Sequence, residues 1–309
     1  MTRVLVIAAS SFIGRHVCDS LTRRKMQVYR TRRSPNDDSY LACDLTDIDS
    51  IAAALNISQP EWIIQCGAAT SSRDLRELYQ THVFGTANFL EAIEQHAPTA
   101  RVLLMGSAAE YGSLPLEWLP LTEDRLPRPS SVFGSSKLAQ SELAQAMAAE
   151  KKLRLVSIRP FNVIGPGLPE IYFAASLSKR LRAMLSDPTS PREFEVTNAN
   201  ATRDFVDARD VAEACVALLE RARFEPGTCD IFNIATSRET TLLEMATRLG
   251  ELAGSLQPRV GGEHQSRGGI SRSAGSFEKL QRTTGWQPQI HWSASLNDLW
   301  NEFASRNDR

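Results

Sequence analysis

Ser107, Lys137, His82, Asn162 and Arg203 carry groups that could bind or move charge, and each stands where the chain changes pattern. Ser107 ends an apolar, strand-like run, and 26 residues later Phe133-Gly134-Ser135-Ser136-Lys137 leads into an Ala-rich helix (Lys137 to Glu150). A serine hydroxyl donates and accepts hydrogen bonds, a lysine amine holds a proton, and an imidazole titrates near neutrality. The benzene ring of Phe133 relays no proton. Arg203 offers a planar, two-pronged donor that suits a diphosphate. A lone His82 is more often a structural residue than a catalyst, so both roles stay open. No group of residues has the spacing of a metal site. The five cysteines (Cys18, Cys43, Cys66, Cys215, Cys229) are scattered without a CxxC pair and read as buried thiols of a reducing compartment.

Composition narrows the partners. Lys plus Arg number 35 against 36 Asp plus Glu, so no global field draws the chain to nucleic acid or an anionic membrane. No apolar run approaches the ~20 residues of a membrane span. Met1 to Ala9 enters a strand directly, which leaves no room for a signal peptide, and a cytoplasmic location is expected.

The elements that must position these residues alternate. Val4 to Ala8 is a continuous apolar run, as in a strand buried on both faces of a parallel sheet. Ser10 or Ser11 caps a helix bearing Phe12, Ile13, Val17 and Leu21. Strands follow at Gln27–Thr31, Leu41–Cys43, Trp62–Cys66, Arg101–Met105 and Arg154–Ile158, with a long helical pattern from Asp74 to His96. The fold class is α/β: a Rossmann-like, doubly wound parallel sheet with a smaller C-terminal substrate lobe. Residues 1–165 form the nucleotide-binding domain, with a return to the sheet within 205–235 (Val206–Leu219 and Ile231–Ile234). Residues 166–204 and 236–309 form the lobe. The Gly-, Ser- and Arg-rich segment Val260–Gly275 reads as a loop near the ligand.

The segment Ile7-Ala8-Ala9-Ser10-Ser11-Phe12-Ile13-Gly14 resembles the glycine turn of the extended short-chain dehydrogenase/reductases, the NAD-dependent epimerase/dehydratase family of nucleotide-sugar enzymes. Ala8 and Ser11 replace two of its glycines, and Gly14 remains. The resemblance implies a cofactor site at Ala8, Ser11, Phe12, Ile13 and Gly14, with Asp44 and Leu45 beside an adenine. The Cβ atoms of Ala8 and Ser11 crowd a pyrophosphate, so NAD(P) is either held by a relaxed turn or lost. Arg30, Arg32 and Arg33 end the second strand, where the family's NADP enzymes favour basic residues. His82 stands in place of the family's asparagine. Ser107 matches the residue that orients the substrate hydroxyl, Lys137 the lysine that holds a ribose, and Phe133 replaces the proton-transferring tyrosine. Ala108 and Ala109 stand where the dehydratases carry acids. Glu110, one residue further along a strand, would face away.

The substrate-side motifs are intact. Arg159-Pro160-Phe161-Asn162-Val163-Ile164-Gly165-Pro166-Gly167 and Arg203-Asp204-Phe205-Val206-Asp207 resemble the family's sugar-diphosphate segments. They imply Asn162, Arg203 and Asp207 as substrate-binding residues, and Lys179, with Arg180 and Arg182 on the preceding helix, either adds a phosphate contact or belongs to a solvated basic face. The expectation is therefore a nucleotide-sugar isomerase or mutase without net redox chemistry, interconverting pyranose and furanose forms of an NDP-sugar, with GDP favoured. Ser107, His82 and Lys137 would lie near the sugar, and a divalent metal on the diphosphate has no ligand cluster to support it. Two alternatives stand beside it: an NAD(P)-dependent 4-reductase or epimerase using another acid, and a catalytically silent nucleotide-binding subunit or sensor. A homodimer through the two long helices is a family expectation.

Overall fold

In the computed structural model, which describes residues 1–69, 74–187, 189–262 and 270–307, the apolar runs become parallel strands. In chain order they are β1 (Arg3–Ile7), β2 (Gln27–Arg32), β3 (Leu41–Ala42), β4 (Trp62–Gln65), β5 (Arg101–Met105) and β6 (Arg154–Pro160). Shorter strands follow: β7 (Asn162–Ile164), β8 (Glu193–Val196), β9 (Thr202–Arg203) and β10 (Phe205–Asp207). The last three are β11 (Thr228–Ile234), β12 (Thr240–Thr241) and β13 (Gln257–Val260). The main sheet has seven parallel strands in the order β11-β6-β5-β4-β1-β2-β3. The chain leaves β1 toward β2 and β3, then crosses back to β4. That reversal opens a crevice at the C-terminal ends of β1 and β4, where such sheets bind ligands.

The helices are α1 (Phe12–Arg23), α2 (Ile48–Ser58), α3 (Leu75–Tyr79), α4 (Gly85–His96), α5 (Val132–Lys151), α6 (Phe173–Ser186) and α7 (Ala208–Arg221). The C-terminal ones are α8 (Leu242–Leu252), α9 (Glu278–Thr284) and α10 (Trp292–Asn307). Val17, Leu21, Val211 and Cys215 of α1 and α7 bury one sheet face with Val4, Val6 and Val156. Residues of α2, α4 and α5, including Leu55, Phe89, Ile93 and Ala144, bury the other with Leu5, Ile63 and Leu104. A separate core of α6, α8 and α10 around Phe194, Leu249 and Trp300 makes the lobe. No helix among the described residues is long and apolar enough to cross a membrane.

Three elements differ from the sequence reading. Val206–Leu219 does not enter the main sheet: Phe205–Asp207 pairs with β7, and Asp207 caps α7. The Asp74–His96 pattern is broken by a π turn at Gln80–Phe84, where Gly85 N reaches back to Gln80 O. Helix α5 starts before Lys137, because Ser131 Oγ caps it by accepting the Gly134 amide (3.0 Å). This puts Phe133 in the first turn. In Val260–Gly275, residues 263–269 lie outside the described residues. Its end runs beside the lobe, with Thr202 N donating to Ser271 O (2.9 Å).

Candidate active site

The turn after β1 keeps a glycine-like shape without the glycines. Ala8 adopts φ 55, a left-handed conformation that costs an L-residue roughly 1–2 kcal/mol. It is held there by its amide on Thr31 Oγ1 (3.1 Å) and its carbonyl accepting Ser11 N (3.0 Å). Gly14 is obligatory, since a Cβ there would lie 2.4 Å from Ala8 O. Ser11 turns its side chain back onto its own helix, where Oγ accepts the Gly14 amide (3.1 Å). The next two amides, Phe12 N and Ile13 N, find no acceptor among the described residues. Two unsatisfied donors at a helix N-terminus suit a pyrophosphate, so the residues present fit a dinucleotide. The Ala8 Cβ points toward Gly67, and would be 3.5 Å from a Cβ placed there.

Across the crevice, Asp44 Oδ1 accepts the Thr46 amide and hydroxyl (both 2.9 Å), and Oδ2 lies 3.6 Å from Arg33 Nε. Leu45 is buried in the core against Gly85. Arg32 donates to Asn36 Oδ1 (2.7 Å). These residues could hold the adenosine end of a dinucleotide.

Ser107 caps a short turn, its Oγ accepting the Ala109 amide (3.1 Å), and its own hydroxyl proton has no acceptor among the described residues. Glu110 does not face away along a strand, as the sequence suggested. The strand has already ended at Met105, and the turn brings the carboxylate back onto Ser107 N (2.9 Å) and onto Arg159 Nε (2.8 Å). Burial raises the pKa of Glu110, opposed by Arg159. Tyr111 is structural: its buried hydroxyl donates to Asn233 Oδ1 (2.8 Å), and Arg159 stacks 4.7 Å over its ring.

Lys137 is 1% exposed, and its ammonium donates to Met105 O (2.8 Å) and Gln140 Oε1 (2.9 Å). Burial pushes its pKa down to about 8, with Glu110 opposing. The Phe133 ring meets His82 edge-on, centroids 5.6 Å apart. Both ring nitrogens of His82 are engaged: Nε2 with Ala69 N (3.1 Å) and Nδ1 with Ser136 Oγ (2.9 Å). Burial, aided by the charge of Lys137, pushes its pKa down to about 3. A histidine so placed supplies no acid at neutral pH.

On the lobe side, the Asn162 amide donates to Asp204 O (2.9 Å), and its side chain has no partner among the described residues. Arg203 is mostly buried and has no carboxylate partner among the described residues; its guanidinium donates to Thr202 O (2.7 Å), and burial lowers its pKa. Beside it, buried Asp204 fixes the loop by accepting Thr236 N, Ser237 N (both 2.9 Å) and Gly275 N (3.2 Å). Asp207 and Lys179 sit elsewhere. Asp207 is wholly buried and taken up by Arg209 (2.7 and 2.8 Å) and Ser295 (2.5 Å), a capping role. Lys179 is exposed and paired with Glu170 (2.6 Å).

The sequence reading did not single out Thr31, Ser136 or Gln140, which hold Ala8, His82 and Lys137. It also missed Arg15 and His16 of α1, which bond Gly167 O (3.3 Å) and Pro166 O (2.9 Å) and so tie the glycine turn to the substrate segment. Ser136 was the most findable, as it adjoins Lys137. Among the described residues no cluster of three or more His, Cys, Asp or Glu could hold a metal ion.

Residues 4–235 match the model of the NAD dependent epimerase/dehydratase family. The chain is 27% identical to GDP-6-deoxy-D-mannose reductase of Pseudomonas aeruginosa, covering 98% of each chain. It is 28% identical to dTDP-L-rhamnose 4-epimerase of Burkholderia thailandensis, over 99% of this chain and 96% of the other. The structure of RMD from Pseudomonas aeruginosa complexed with NADPH superposes with a TM-score of 0.86 at 26% identity, covering 99% of this chain and 100% of that one. These relatives are named as a reductase and an epimerase of nucleotide sugars. They overturn the expected non-redox mutase, which neither of them supports.

Proposed function

The chain belongs to the NAD dependent epimerase/dehydratase family, and from that premise we propose that it is an NADP(H)-dependent reductase of a GDP-linked 4-keto-6-deoxysugar, with no tyrosine acid. The observation that carries this reading is Arg203, a mostly buried cation with no anion of its own among the described residues. Burying an unpaired charge is costly, and a diphosphate supplies the missing partner in bidentate form. The unpartnered Asn162 side chain would add a contact to the same group. The reductase relative and the NADPH-bound structure support the choice of sugar nucleotide and cofactor.

When bound, the reduced nicotinamide supplies a hydride to the carbonyl carbon. The amides of Phe12 and Ile13 would hold its pyrophosphate, Asp44 its adenosine end, and Arg32 and Arg33 would suit a 2′-phosphate. The Ser107 hydroxyl, whose proton is uncommitted, hydrogen-bonds the carbonyl oxygen and delivers the proton that oxygen needs as it gains the electron pair. A water molecule then reprotonates the serine oxygen, and the hydroxide so released is neutralised by bulk solvent. Lys137, near the pKa that serves general acids at neutral pH, adds positive potential at the end of β5. Phe133 closes the site without joining the proton transfer. The protein is further proposed to be a cytoplasmic homodimer, with α4 and α5 as the shared face; exposed Phe84 and Val132 at their starts support it.

Thermal shift with NADPH, NADH and GDP-, UDP- and dTDP-sugars tests the reading, followed by NADPH oxidation with the 4-keto sugar. Stabilisation by NADPH and a GDP-sugar, with slow turnover, is expected. Absence of any NADPH effect sinks it. Phe133 favours one other reading, a nucleotide-binding subunit without turnover; binding without oxidation would select that.

A further inference from the structure

The π turn at Gln80–Phe84 inserts an extra residue into a helical stretch, and His82 is its middle residue. Such turns displace a side chain from the regular helical row. Here the displaced ring is 1% exposed and bridges two elements, with one nitrogen on Ala69 after β4 and the other on Ser136 of α5.

Its protons follow from its partners. The Ala69 amide can only donate, so Nε2 accepts and carries no proton. Ser136 has a single hydroxyl proton, and that proton goes to Phe133 O (2.9 Å). Ser136 Oγ must then accept from the ring, and Nδ1 is the protonated nitrogen. The chain Nδ1–H to Ser136 to Phe133 O has one direction only. Phe133 covers the ring edge-on, and Lys137 is the charged neighbour, disfavouring an imidazolium.

We infer that His82 is a positioning residue, held as the neutral Nδ1–H tautomer, which clamps the loop after β4 to the N-terminal part of α5 and so fixes the edge of the crevice at the C-terminal end of β4, where a dinucleotide would lie. The inference rests on the NADP(H)-dependent reading. It assigns His82 no proton transfer, although its place beside the missing tyrosine suggests one. An asparagine, with one acceptor and one donor group on a planar amide, can replace both contacts; a phenylalanine fills the space and makes neither.

The test uses the full chain, labelled with ¹⁵N-histidine, and the variants His82→Asn and His82→Phe. The His82 signals, assigned by their loss in His82→Asn, should keep the neutral Nδ1–H pattern from about pH 5 to about pH 9. Titration of this ring within that range, or an Nε2–H pattern, overturns the inference. Hydrogen exchange at the Ala69 amide should stay slow in His82→Asn and become fast in His82→Phe. NADPH affinity should fall roughly tenfold in His82→Phe, the loss of about one good hydrogen bond, and recover in His82→Asn. A His82→Phe protein with wild-type Ala69 protection and NADPH affinity refutes the clamp. If the wild type binds no NADPH, the cofactor reading fails, while the tautomer and the Ala69 exchange still decide the clamp.

Discussion

Replacing Arg203 by methionine should move stability and binding in opposite directions. The guanidinium is mostly buried, bonds only its neighbour's carbonyl among the described residues, and has its pKa lowered by burial alone. Methionine keeps the stem's packing and removes an uncompensated charge, so the unliganded protein should be unchanged or more stable by about 1 kcal/mol. With a diphosphate bound, the same cation is half of a desolvated, hydrogen-bonded charge pair. Truncating one member of such a pair costs about 2–5 kcal/mol, or roughly 30-fold to a few thousand-fold in affinity. Arg203→Lys keeps the charge without the fork and should fall between. Calorimetric titration with GDP and a GDP-sugar, beside thermal melts without ligand, reads both effects. Wild-type affinity in Arg203→Met refutes the diphosphate role. A large fall in stability together with lost binding would make Arg203 a structural residue and also refute the reasoning.

Three further outcomes follow from the same geometry. Phe133→Tyr restores a phenolic acid at the head of α5 and should raise turnover by roughly 10²–10⁴-fold; unchanged turnover with intact binding would show that proton delivery is not what limits the enzyme. Ala8→Gly relieves the left-handed strain at φ 55, partly offset by a looser unfolded chain, and should stabilise by about 0.5–1 kcal/mol and tighten NADPH binding; a lower melting temperature contradicts this. Lys137 has a folded pKa of about 8 against an ordinary 10.5. Between those values the unfolded chain holds a proton that the folded chain has shed, so this group's contribution to stability rises with pH through that window. Its upper bound is about 3 kcal/mol. Urea midpoints of the wild type relative to Lys137→Met should diverge upward from about pH 8 to above 10, and parallel curves would refute the shift.

What the sequence disclosed was local. The strand at Val4 to Ile7, the cap at Ser11 and the required Gly14 all depend on neighbours within one turn, and the structure has them as read, while Ala8, taken as the end of that strand, turns out of it at φ 55. The reach of Glu110 to Arg159 joins residues 49 apart, and that of His82 to Ser136 joins residues 54 apart, so neither is encoded in spacing. The π turn is invisible because its composition is ordinary helix. Asp207 was named from motif position and Lys179 from the basic residues of its helix, yet one is consumed as a cap and the other by Glu170. Phe133 was read as a sign that redox chemistry was abandoned. Losing an acid slows a hydride transfer without removing the site that performs it, and Ser107, Lys137 and the open amides of Phe12 and Ile13 remain in place.

Isotope transfer tests the central claim most directly. The protein is incubated with NADPH carrying deuterium at both C4 positions of the dihydronicotinamide and with a GDP-linked 4-keto-6-deoxyhexose, and the sugar nucleotide is weighed by mass spectrometry. The account predicts a reduced product carrying one deuterium at C4, formed slowly in the wild type and faster in Phe133→Tyr. Recovery of the keto sugar unlabelled and unreduced by both proteins would contradict it.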